Sequence, residues 1–122
     1  MSGFRNLQSL HYPPSPANAR AEVEKILRAL VDEYGAEQII VFGSAVRGGV
    51  TADSDIDLCV IREHPPGCTH PALDAGLAAA RAGTLVSKDI LVRTPDQIAA
   101  ARQHPRGVMD EIINHGVTVY ER

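Results

Sequence analysis

Tryptophan is absent from this chain, and Phe and Tyr together make up 4% of it. A surface that binds single-stranded nucleic acid by base stacking draws on aromatic rings, so nucleic acid is not expected as a direct ligand. The charge balance agrees. Twelve Lys and Arg against 15 Asp and Glu leave a formal net charge of −3, whereas affinity for DNA or RNA comes largely from cations placed on phosphates. Cysteine is scarce too: Cys59 and Cys68 do not form a zinc-binding spacing, and Cys59 lies in an apolar run, which reads as a reduced, buried thiol. No apolar run approaches the ~20 residues that span a bilayer, and the N-terminus has no continuous apolar stretch of the secretory kind. A cytoplasmic protein without a membrane partner is therefore expected.

What remains is enough for a single self-standing domain. A chain of 122 residues buries roughly two-thirds of its unfolded surface and needs no disulfide or metal staple to fold. Its 44% hydrophobic and 22% charged residues are ordinary for a globular protein. Residues 1–17 carry Pro13, Pro14 and Pro16 and show no periodicity, which predicts an irregular N-terminal arm; residues 18–122 are read as the domain proper.

Asn18 is placed to cap a helix whose apolar positions Val23, Ile26, Leu27, Leu30, Val31 and Tyr34 follow the helical period, with Gly35 closing it. Gln38–Phe42 reads as a buried strand, Ser44–Arg47 as about one helical turn stopped by Gly48-Gly49, and Asp55–Ile61 as a second strand. A proline-rich loop over residues 62–71 leads to an alanine-rich helix at 73–82, and Leu85–Val92 reads as a third strand. Thr94-Pro95-Asp96 opens a further helix, with Pro in its first turn. Pro105 starts another helix, with Val108, Ile112 and Ile113 on its apolar face, and Val117–Tyr120 ends the chain as a strand. The order predicts a small α/β (α+β) domain with a mixed sheet flanked by helices.

Two segments carry chemistry. Gly43-Ser44 directly follows the first strand, and after ten intervening residues come Asp55-Ile56-Asp57. Glycine lets backbone N–H groups approach a phosphate closely, and a short helix then presents its N-terminus to the anion. The Ser44 hydroxyl is placed to add a hydrogen bond, to cap the helical turn, or both. Asp55 and Asp57, two residues apart on a strand, point to one face about 6.6 Å apart. Unpaired, they repel and raise each other's pKa; a Mg²⁺ ion relieves this, because hard cations take carboxylate oxygens together with substrate phosphates. Alternatively, Asp53-Ser54-Asp55 is a turn into the strand and Asp57 faces solvent.

Asp89 is the third acid. It lies in Val86–Val92, which is otherwise mostly apolar, and a charge within a buried strand is costly unless it is paired or binds a metal. If its strand neighbours that of Asp55 and Asp57, three carboxylates converge on a two-metal site, with Asp89 placed to accept a proton from an attacking hydroxyl. The alternative is an ion pair with Arg93 or Lys88. Arg47 is a candidate for neutralising phosphate charge, or a plain surface arginine. His64, Cys68 and His70 share one loop as a possible metal set or an unconnected group. Arg102–Arg106 forms a basic cluster suited to helix capping or solvent.

Gly43-Ser44, Asp55-x-Asp57 and Asp89 together resemble the nucleotidyltransferase superfamily built on the DNA-polymerase-β-like palm. Within it, Phe42-Gly43-Ser44-x-x-Arg47-Gly48 followed by Asp53-Ser54-Asp55-Ile56-Asp57-Leu58 looks like the minimal nucleotidyltransferases, over roughly residues 20–120. The resemblance implies nucleotide phosphates at Gly43 and Ser44, two Mg²⁺ ions at Asp55, Asp57 and Asp89, and ATP as the substrate. It also implies a HEPN-type ribonuclease toxin as partner, silenced by AMPylation of a tyrosine in a toxin–antitoxin system. A chain of this size is expected to borrow its acceptor site from such a partner or from its own oligomer. Two other readings stay open: an antitoxin that neutralises by binding alone, and a transferase acting on a small molecule or an RNA end.

Overall fold

The structure, a computed structural model, describes residues 3–122. Its centre is β1 (Gln38–Phe42), in which Ile39, Ile40, Val41 and Phe42 are all buried because both faces of the strand are covered. On one side β1 pairs antiparallel with β2 (Ile56–Ile61), and on the other with β4 (Val117–Glu121). The fourth strand, β3 (Lys88–Arg93), pairs parallel with β2, which makes the sheet mixed and sets its order as β3-β2-β1-β4. Parallel neighbours need a crossover connection, and α3 (Pro71–Ala80) supplies it.

Strand alternation divides the core in two. Ile56, Leu58 and Val60 of β2 pack with Val23, Ile26, Leu27 and Leu30 of the first helix and with Ala75, Ala78 and Ala79 of α3. Cys59 and Ile61 point to the opposite face and pack with Ile40, Phe42, Ile98 and Ile112. The first helix runs as α1 (Ala19–Ala29) and continues as a π-helical turn over Leu30–Tyr34, ended by Gly35 at φ 85°. Asn18 takes the N-cap position, but its side chain makes no capping bond. The opposite face is covered by α4 (Pro95–Gln103) and by α5 (Val108–Asp110), which continues as a π-helical turn over Glu111–His115. The Thr94 and Gln97 side chains cap α4 reciprocally. A four-residue helix, α2 (Ser44–Arg47), leaves the end of β1.

Several boundaries differ from the sequence expectation. β3 begins at Lys88 rather than Leu85: Leu85 is 81% exposed, while Glu22, buried on α1, accepts hydrogen bonds from the amides of Leu85 and Val86, both at 2.9 Å. The apolar run therefore includes two residues tied to a helix instead of to the sheet. β3 is also an edge strand, half-exposed along most of its length.

Much of the proline-bearing N-terminal segment lies against β4 and α2. Phe4 bridges Tyr120, the Arg5 amide donates to Val119 at 2.9 Å, and Asn6 Nδ2 donates to the Thr118 carbonyl at 2.9 Å. The His11 amide donates to Ala45 O at 2.7 Å. Among the described residues no helix is long and apolar enough to cross a membrane.

Candidate active site

Antiparallel β1 and β2 bring the C-terminal end of one beside the N-terminal end of the other, so residues far apart in sequence become neighbours. Phe42 is the register partner of Asp57, and across the parallel pair Asp57 is the partner of Asp89. Three adjacent strands thus carry Phe42, Asp57 and Asp89 in one row, about 4.8 Å apart per step. Asp55 stands two residues before Asp57, just outside β2, and shares its parity. The turn before it is closed by Thr51 and Ser54: the Thr51 amide donates to Ser54 Oγ at 2.8 Å, and the Ser54 amide to Thr51 O at 3.1 Å. The turn of the alternative reading is present, while Asp57 is half-buried rather than facing solvent.

Gly43 follows in chain and in space. It is the N-cap of α2 with φ 77° and ψ −148°, a conformation side chains rarely adopt, and a Cβ there would run into Asp57 Oδ2. Glycine at this position does two things: it turns the chain from β1 into α2, and it lets the backbone come against the carboxylate. Ser44 is the first helical residue rather than the cap. Its amide and that of Ala45, at the start of the helix, have no intrahelical acceptor.

The electrostatics tie the set together. Burial raises the Asp57 pKa above the usual carboxylate range, the charges of Asp89 and Asp55 raise it further, and Arg47 partly offsets them. Arg47 is ion-paired with Glu111, from the far side of the sequence, while its own side chain stays 61% exposed. Glu111 is thus a site neighbour that no motif signalled. Asp89 is exposed, on an edge strand, and forms no ion pair with Lys88 or Arg93 among the described residues. The expected cost of burying it does not arise; what places it at the site is strand register.

Among the described residues no three His, Cys, Asp or Glu side chains are set closely enough to form a ready metal cage. The donor chemistry nevertheless fits a hard divalent cation. Asp57 and Asp89 are cross-strand neighbours with Asp55 two residues before Asp57, Asp57 is pushed toward protonation by burial and then by the charges of Asp89 and Asp55, and the nearby arginine is already shared with Glu111. Asp55, Asp57 and Asp89 are the residues that would hold it.

Other candidates fall elsewhere. Cys68 Sγ faces Asp74 Oδ2 at 3.5 Å beside the 62–70 loop. Arg102 lines a cavity of about 410 Å³ at the opposite end of the sheet, with Glu37 and Arg122. Beside Asp55, a second cavity of about 480 Å³ lies between α3 and the edge of β3.

A mixed sheet with helices on both faces, and carboxylates set beside a glycine turn at one end, defines a small α+β domain of transferase type. Residues 23–115 match the model of the nucleotidyltransferase domain, and the chain belongs to that family. No curated protein matches it. A crystal structure at 1.40 Å of a candidate nucleotidyltransferase from Sulfolobus solfataricus is similar, with 19% identity and a TM-score of 0.46, over 84% of this chain and 88% of that one.

Proposed function

We propose that this protein is a Mg²⁺-dependent nucleotidyltransferase that moves AMP from ATP to a protein hydroxyl. The acceptor is a tyrosine of a HEPN-type ribonuclease toxin, for which it serves as antitoxin. The observation that carries the transfer chemistry is the contact of Gly43 with Asp57 within a row of carboxylates. It sets a backbone-lined turn for phosphates against oxygen ligands for a cation. The toxin and the tyrosine rest on the resemblance of the motif to the minimal nucleotidyltransferases.

In this scheme the amides of Ser44 and Ala45 and the Ser44 hydroxyl hold the outer phosphates, and Arg47 turns from Glu111 toward them. Asp55, Asp57 and Asp89 are the residues that would hold the two Mg²⁺ ions beside the α-phosphate. When bound, the ions neutralise the charge that builds on the α-phosphate and on the departing pyrophosphate. The acceptor oxygen forms a bond to the α-phosphorus as the bridging α–β oxygen bond breaks. The acceptor proton passes to the Asp89 carboxylate, and pyrophosphate leaves.

The test combines the protein with Mg²⁺, ATP labelled at the α-phosphate and the candidate toxin. Transfer of label to a toxin tyrosine, lost in the Asp55→Ala/Asp57→Ala double variant, is expected. Undiminished transfer by that variant would sink the assignment. Neutralisation of the toxin by the same variant without ATP would favour an antitoxin that acts by binding alone.

A further inference from the structure

β3 is an edge strand, with no strand beside its outer side among the described residues. Ser87 O and Arg93 O accept hydrogen bonds from the amides of Ile56 and Arg62 at 2.9 and 3.0 Å. Two-residue alternation therefore turns the main-chain groups of Lys88, Ile90 and Val92 away from β2; the Val92 carbonyl accepts from Arg93 Nη1 at 2.8 Å, which leaves Lys88 and Ile90 as the stretch open to pairing. The side chains of Lys88 and Ile90 face α3, where Ala72, Gly76 and Ala80 form a floor of small residues. Together they enclose the cavity of about 480 Å³, with Asp55 at its border. Next to this groove α3 leaves Leu73 58% and Leu77 49% exposed.

Sheet order decides which way an acceptor must come. Given the transfer reaction proposed above, on which this inference rests, pyrophosphate leaves toward Gly43 and Ser44 at the end of β1. The α-phosphate lies over Asp55 and Asp57 of β2. A nucleophile attacking in line comes from the side opposite the leaving group, and in the order β3-β2-β1 that side is β3, which carries Asp89 on the face with Asp57 and borders the groove on the other, α3 face.

We propose that the edge of β3 is the acceptor site, and that an extended polypeptide segment pairs along it, with its target hydroxyl on the Asp89 face and the neighbouring side chains in the groove against α3. The segment carries the target hydroxyl next to an acidic residue. Edge pairing supplies main-chain hydrogen bonds independent of sequence, while the groove takes alternate side chains. Small residues in α3 leave room for them. Lys88, which has no ion pair among the described residues, complements an acidic neighbour of the hydroxyl. An RNA end fits less well, because the groove offers one cation beside Asp55 and no aromatic ring for stacking.

The experiment uses the full chain, Mg²⁺ and ATP labelled at the α-phosphate. The acceptor probes are short peptides with a central tyrosine flanked by Glu and Val, a matched set flanked by Lys and Val, and a short RNA. The acidic peptides should be labelled at least ~10-fold faster than the basic ones, and they should slow amide exchange along β3. Gly76→Leu extends a side chain into the groove from an open position, since a Cβ at Gly76 meets nothing within 4 Å. It should cut peptide labelling at least ~10-fold while leaving the affinity for a non-hydrolysable ATP analogue within about twofold. Its Tm should not fall, because leucine is the better helix former.

Equal labelling by Gly76→Leu, unchanged β3 exchange, or preferential labelling of the RNA overturns the acceptor groove. Protection of β3 by the acidic peptides without any transfer of label keeps the groove and overturns the transfer reaction instead.

Discussion

Asp57 carries an electrostatic tension at the scale of one residue. Its folded pKa is raised by burial and then by Asp89 and Asp55. The stability contribution of such a group is fully present below the unfolded carboxylate pKa and is lost as pH rises through the folded value. At neutral pH, without metal, the ionised carboxylate therefore costs stability. Asp57→Asn should raise the Tm measured in EDTA at neutral pH, with the difference closing in acid as the wild-type carboxyl protonates, and it should abolish nucleotide transfer. A lower Tm for this variant at neutral pH would contradict the sign. Gly43→Ala acts in the other direction. It forces a side chain onto φ 77° and into Asp57 Oδ2, a strain on the order of 1–3 kcal/mol. Urea unfolding should show that loss together with the loss of transfer.

At the scale of elements, β3 owes its place to α1. Glu22 binds the amides of Leu85 and Val86 and so anchors the segment that feeds Asp89 into register with Asp57. Glu22→Ala removes two charge-assisted hydrogen bonds and leaves the buried Val86 amide unpaired, a cost of roughly 2–4 kcal/mol in urea unfolding. Transfer should fall along with stability. Glu22→Gln keeps one acceptor and should recover part of both. Glu22 lies four residues before Ile26 on the buried side of the helix, and no motif singled it out. The partner itself was not visible, since a buried carboxylate can be satisfied by any backbone within reach.

For the molecule as a whole, ligand and thiol chemistry report on the folded state. A ligand that binds only the native protein stabilises it by about 2.7 kcal/mol at 100 times its Kd. ATP with Mg²⁺ should therefore raise the wild-type Tm, and thermal melts of Asp55→Asn/Asp57→Asn should lack the rise. Burial in the core pushes the Cys59 thiol up to about 11, whereas Cys68 is partly exposed at the loop. A thiol reagent at neutral pH should label Cys68 in the native protein and reach Cys59 only after unfolding. Rapid labelling of both would show a core more open than the structure described here.

The sequence by itself determined most of the elements and named the residues of the candidate site. Apolar periodicity marked α1 and the central strands, Gly35, Gly43 and Gly48 marked where the chain turns, and the spacing of Asp55 and Asp57 put both carboxylates on one face. These are local properties, readable from neighbours in the chain. Tertiary structure alone decided the rest. It made β3 an edge strand with Asp89 exposed, set Asp89 opposite Asp57, drew Glu111 onto Arg47, tied Glu22 to the entrance of β3, and opened a groove against α3. Strand pairing and register join residues more than 30 positions apart. They are fixed by how two packed faces fill, which no single segment encodes. The glycine and the carboxylates thus carry the proposed donor chemistry, and the order of the strands carries the proposed side of approach for the acceptor.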